Sequence, residues 1–131
     1  MPQNNQTLLE KTVADQWQTL PSGLTVLVRP MPGYSSTHVI YATKFGSIDR
    51  DFCLNGQTVH LPAGVAHFLE HMAFNGTTKY KKNEMIKYLE SIGLSFGGDL
   101  NAYTSFDRTV YKLNVPTDNM KSFEEGVEVL R

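Results

Sequence analysis

Cysteine is nearly absent from this sequence of 131 residues, with Cys53 standing alone. A single cysteine excludes an internal disulfide and any cysteine-rich zinc site, and it fits a reducing compartment. Cys53 itself is expected to be a small buried hydrophobe. Long hydrophobic runs are lacking too, so no stretch approaches a membrane span and membrane insertion is not expected. The first twenty residues, MPQNNQTLLEKTVADQWQTL, have neither a basic leading region nor a continuous apolar one. The compartment reading therefore leans to the cytoplasm, with the periplasm open if a signal segment has been removed. An excess of one charge sign is missing as well. Twelve Lys and Arg against thirteen Asp and Glu leave a net charge of −1, which gives no broad electrostatic case for nucleic acid or an anionic membrane as partner.

What is present is ordinary globular composition, 40% apolar with seven Phe and six Tyr. A chain of this length fits one domain that buries roughly two-thirds of its unfolded surface. Residues 1–16 are polar and rich in Asn and Gln, and they read as a flexible lead-in to a domain spanning 17–131. Pro21-Ser22-Gly23 marks a turn, and Leu24 to Val28 is β-branched and apolar enough for a strand that Pro30-Met31-Pro32-Gly33 ends. His38 to Phe45 reads as a second strand, stopping at Gly46-Ser47, and the two are expected to pair as antiparallel neighbours. Residues 47–60 read as a polar loop.

From Pro62 to about Phe74 the pattern becomes helical, with Asn75-Gly76 as the stop. Asn83 is placed to cap a second helix, Glu84 to Ser91, which Gly93 closes. Strands return at Leu94 to Thr104 and at Thr109 to Val115, before Pro116. Thr117 or Asp118 is expected to cap a last helix with Met120, Phe123, Val127 and Leu130 at helical spacing. The order predicts an α+β fold, a largely antiparallel sheet covered by helices on one side. No internal repeat or low-complexity segment is present.

The chemistry concentrates in His67-Phe68-Leu69-Glu70-His71. Histidines four apart on a helix lie one turn above the other, within reach of a single ion. Glu70 lies near the same face and could accept a proton from metal-bound water. The order reverses the H-E-x-x-H helix of many zinc peptidases. Val65, Ala66, Phe68, Leu69, Met72, Ala73 and Phe74 surround the three polar residues, so they are expected in apolar surroundings, where unpaired charge costs several kcal/mol. A buried helix whose His and Glu pair with each other and with backbone is the alternative reading. A catalytic zinc site needs three protein ligands, and only two are evident. His38 and His60 read as surface or loop residues, and Glu124, Glu125 and Glu128 as a solvated acidic face. The whole metal site is thus not expected within the chain.

From Gly64 to Thr77, GVAHFLEHMAFNGT resembles the zinc-helix signature of the insulinase and pitrilysin family of metallopeptidases. The resemblance continues in Leu24 to Pro30, in Thr43 to Ser47 and in Asn101 to Thr109, and covers about residues 18–131. It implies that His67 and His71 ligate Zn2+, that Glu70 activates the water, and that a third ligand, a Glu on a later helix, lies beyond Arg131. It also implies a fragment of a longer zinc endopeptidase acting on peptides or unfolded polypeptides, with later domains of the parent chain or a paired subunit completing the site. An edge strand around Asn101 would pair with an extended substrate, Asn101 and Ala102 matching the positions whose backbone does so. The residues themselves agree, since Gly97-Gly98 allow close backbone approach and Asn101 and Thr104 offer polar groups. A plain sheet strand with outward polar residues is the alternative.

Two other functions compete. The first is a non-catalytic polypeptide-binding homologue, which a chain without a third ligand could be. The second is a metal-dependent enzyme like S-ribosylhomocysteine lyase, whose third ligand is a Cys downstream of the helix, whereas Cys53 lies upstream.

Overall fold

The computed structural model describes residues 14–81 and 83–130. In chain order these form β1 (Gln16–Thr19), β2 (Thr25–Val28), β3 (Ser36–Thr43), β4 (Asp51–Leu54), β5 (Gln57–His60), α1 (Val65–Ala73), α2 (Glu84–Ser91), β6 (Leu100–Thr104), β7 (Thr109–Pro116) and α3 (Met120–Leu130). The chain divides into two compact units after Tyr34. No helix among the described residues is long and apolar enough to cross a membrane.

The described part of the first unit is an antiparallel hairpin in which Trp17 faces Leu27 and Thr19 faces Thr25. Its turn closes because Gly23, at φ 87°, donates to the Leu20 carbonyl at 2.8 Å, a backbone conformation that glycine adopts without a Cβ penalty. Arg29 grips the Asp15 carboxylate with Nε and Nη2, beside the hairpin's open end. The lead-in expected over 1–16 falls mostly outside the described residues, and its last residue, Gln16, already belongs to β1.

The second unit is built on an antiparallel sheet in the order β3-β7-β6. The expected pairing of the first two strands is not what forms: β2 pairs with β1, and β3 pairs with β7, Ser36 opposite Pro116 and Thr43 opposite Thr109. Strand composition identifies strands but not partners, and the partner of β3 lies some seventy residues away. The expected loop 47–60 contains the β4–β5 hairpin, with Asp51 opposite His60. Asn55 and Gly56 both take positive φ, 51° and 77°, as a tight two-residue turn requires, so this Asn-Gly pair was a readable signal. Cys53 lies exposed on β4, contrary to the buried site expected of it, because a two-stranded hairpin has too little core to cover both faces.

One sheet face carries the core. Leu100, Leu113 and Val115 pack with Met85, Leu89 and Leu94, and Val39, Phe74, Ile92, Phe123 and Leu130 close around them. α3 approaches β7 so closely that a Cβ at Gly126 would lie 3.0 Å from Leu113 Cδ2. The helix caps differ from expectation. Gly64, at φ 87°, caps α1, so the helix begins at Val65, after Pro62. Asn83 precedes α2 in the left-handed region and makes no side-chain cap; Glu84 Oε2 accepts from the Lys81 N–H instead. Asn119, not Thr117 or Asp118, caps α3, its Oδ1 accepting from Ser122 N at 3.3 Å. β6 begins at Leu100 rather than Leu94, because Asp99 accepts from both Ser95 N and Ser95 Oγ at 2.8 Å and folds residues 95–99 into a turn.

Candidate active site

α1 lies against β6 and β7 and places its motif unevenly. Glu70 is buried, with 8% of its surface exposed, whereas His67 and His71 are exposed. The apolar surroundings expected for all three therefore form around Glu70 alone: Phe68, Leu69 and Met72 are themselves exposed, and of the helix only Ala66 and Glu70 are buried. A nine-residue helix on one sheet face can bury only one stripe, and that stripe runs through Glu70.

His67 and His71 converge as their spacing predicts. Their Nε2 atoms are 2.9 Å apart and their ring centroids 4.7 Å apart. Two imidazoles bound tetrahedrally to one zinc ion would hold their nitrogens roughly 3.3 Å apart, from Zn–N distances of about 2.05 Å. The pair thus suits zinc after a shift of a few tenths of an ångström, and imidazole nitrogen is a donor that zinc favours. Among the described residues no group of three His, Cys, Asp or Glu is arranged to hold a metal. His60 instead pairs with Asp51 at 2.6 Å, Glu128 with Lys79 at 3.0 Å, and His38 is exposed on β3.

Glu70 has a different partner. Thr104 Oγ1, on β6, donates to Glu70 Oε2 at 2.6 Å, a short charge-assisted hydrogen bond. Thr104 Oγ1 lies 3.5 Å from Thr109 Oγ1, which donates to the Phe45 carbonyl at 2.9 Å. Tyr111 stands on the same sheet face, and burial first, then the nearby Glu70 and Tyr41, raise its phenol above the ordinary value, so it stays neutral at physiological pH.

β6 is an edge strand whose one partner strand in the sheet is β7, with Phe96 bridging to Leu100 at its start. The bonds Asn114 N to Asp99 O and Ser105 N to Arg108 O fix the phase of the ladder. By antiparallel alternation, residues 101 and 103 turn their amides toward β7, and residues 100, 102 and 104 turn theirs outward. The edge is partly covered. Leu100 O accepts from Gly97 N, and the outward Ala102 N–H is held by Asn101 Oδ1 at 2.8 Å. The structure therefore brings Thr104 to Glu70 and places Ala102 on the partly covered outer edge, whereas the Asn101 backbone, expected to pair with substrate, faces β7 because antiparallel alternation commits it to that ladder. Thr109, Tyr111 and the Phe45 carbonyl were missed by sequence reasoning. The available signal was a Thr at each end of the β6–β7 turn, which pairs them in register.

Several known proteins resemble this chain in sequence and fold. A probable zinc protease, PqqL of Escherichia coli, is 52% identical over 66 residues, 50% of this chain and 7% of that protein. An uncharacterized zinc protease of Bacillus subtilis, YmfH, is 32% identical over 116 residues, 87% of this chain and 25% of that protein. The crystal structure of the first half of the periplasmic protease PqqL from Escherichia coli superposes with a TM-score of 0.75 at 33% identity, covering 88% of this chain and 23% of that one. The chain thus spans a quarter or less of the length of these relatives. The family model for insulinase, peptidase family M16, matches residues 61–131, more than half of the chain, and the chain belongs to that family.

Proposed function

We propose that this chain carries the metal-binding and general-base part of a zinc endopeptidase that hydrolyses peptides or unfolded polypeptides. The observation that carries this reading is the division within α1: a converging imidazole pair open to solvent, and beside it a buried carboxylate with one oxygen held by Thr104. His67 and His71 would hold zinc, which when bound acts as a Lewis acid on the scissile carbonyl and on water. Glu70 takes a proton from the attacking water and returns it to the leaving amine. The Ala102 and Thr104 backbone on the β6 edge aligns the substrate as an added strand. The third ligand comes from later domains of a longer protein or from a paired subunit, in line with the length of the relatives.

A second reading, a polypeptide-binding module without turnover, is favoured by the lack of a three-ligand group among the described residues. Glu70→Gln in the full-length protein separates the two. It is expected to keep its zinc and lose at least about 100-fold in kcat on a fluorogenic peptide. Undiminished cleavage would remove Glu70 from the chemistry, and a wild-type protein that binds the peptide without cutting it would favour the module.

A further inference from the structure

Thr104 has a single hydroxyl proton, and the structure directs it to Glu70 Oε2 at 2.6 Å. Thr109, 4% exposed, likewise has one proton, and it goes to the Phe45 carbonyl at 2.9 Å. With both protons committed outward, the 3.5 Å contact between the two hydroxyls is packing: Thr109 acts as a stop that holds Thr104 against Glu70.

The far end of this chain of contacts is itself fixed. Ser47 N donates to Ser105 O at 2.9 Å and Ile48 N to Phe106 O at 3.0 Å, so the segment after β3 is tied to the turn between β6 and β7. Gly46 permits the approach, since a Cβ there would lie 2.3 Å from Phe106 O and 2.5 Å from Arg108 N. Asp49 Oδ2 accepts from Gly46 N at 2.7 Å and closes the loop. Phe45 O, Thr109 and Thr104 are therefore held by backbone on both sides.

We propose that Thr104, backed by Thr109 and the Phe45 carbonyl, is a positioning residue that holds the Glu70 carboxylate in one rotamer, with Oε2 anchored and Oε1 left for the reaction. This rests on the reading of Glu70 as the general base. Glu has three side-chain torsions, and a base displaced by even a fraction of its reach loses much of its effectiveness. Thr104 does not contact substrate through its hydroxyl, because a substrate carbonyl could take that proton only by releasing Glu70.

The test compares Thr104→Val, which keeps the shape without the hydroxyl, with Thr104→Ser, which keeps the hydroxyl. In the full-length protein, Thr104→Val is expected to lower kcat roughly 10- to 100-fold. KM should stay within about twofold, zinc content should be unchanged, and Thr104→Ser should recover most of the rate. A second readout needs no activity: in the metal-free chain, the two γ-methylene protons of Glu70 should be distinct by NMR in wild type and Thr104→Ser, and averaged in Thr104→Val. Should Thr104→Val not fold, Thr104→Ala against Thr104→Ser supplies the same contrast. Wild-type kcat in Thr104→Val, or a raised KM at unchanged kcat, overturns the positioning role while leaving Glu70 as base. An active Glu70→Gln enzyme would instead remove the reading on which it rests.

Discussion

The Nε2 atoms of His67 and His71 meet at 2.9 Å across one turn of α1, on the exposed side of a helix whose intervening Glu70 is buried. Without an ion, one ring must donate to the other, which restricts the tautomers of both. With an ion, both lone pairs can be used at once.

Zinc should therefore stabilise this chain even with two protein ligands. Binding only to the folded state adds about 2.7 kcal/mol when free zinc stands a hundredfold above its dissociation constant. Thermal melts with and without zinc, reversed by chelator, measure it. The gain should vanish in His67→Ala and in His71→Ala; an equal gain in the double variant would place the metal elsewhere.

The β6 edge yields a sharper test than side-chain deletion. The Ala102 N–H points outward, away from β7, so Ala102→Pro removes a donor from the edge without cutting the β6–β7 ladder. That variant should keep its fold by circular dichroism and lose affinity for an extended peptide by roughly fivefold, one backbone hydrogen bond being worth about 1 kcal/mol. Tyr103→Pro, whose N–H faces β7, should be the variant that destabilises the protein. Equal peptide affinity in wild type and Ala102→Pro would exclude strand addition at this edge.

Asp99 should make stability depend on pH. Hydrogen bonds from the Ser95 backbone N–H, then from the Ser95 hydroxyl, hold its carboxyl below the ordinary value of 3.8, against an opposing contribution from burial. A folded-state pKa lowered in this way contributes stability that is fully present above the unfolded value and is lost as pH falls through the folded one. Asp99→Ala should thus cost roughly 1 kcal/mol in urea unfolding at pH 7, after solvent screening, and progressively less below about pH 4. A cost that is the same at pH 7 and pH 3 would show that the charge is not what matters.

Gly46→Ala should be among the costly small substitutions in this chain. The added methyl would meet the backbone of Phe106 and Arg108, which cannot swing aside as a side chain can. A loss of about 2 kcal/mol or more is expected, with protection of the Ser47 and Ile48 amides from hydrogen exchange falling in parallel. Unchanged exchange at both amides would mean that the two loops are not tied as described.

Local features were legible in the residue pattern alone. The i, i+4 spacing of His67 and His71 sets their convergence, because a helix fixes neighbours one turn apart whatever surrounds it. α2 from Glu84 to Ser91 and the β7 alternation around Leu113 and Val115 follow from periodicity in the same way, and Asn55-Gly56 encoded a hairpin that was there to be read. Long-range packing settled the other features. Whether β3 pairs with β2 or with β7 is a contest between contacts of similar local quality, settled by which pairing buries Val39 against Leu113 and Leu100. Periodicity surrounded all of His67-Phe68-Leu69-Glu70-His71 with apolar residues, but packing on one sheet face buried Glu70 and left both histidines and Phe68 in solvent. The partner of that buried carboxylate is Thr104, 34 residues along the chain, which no local pattern announces because only the docking of α1 onto β6 brings the two together.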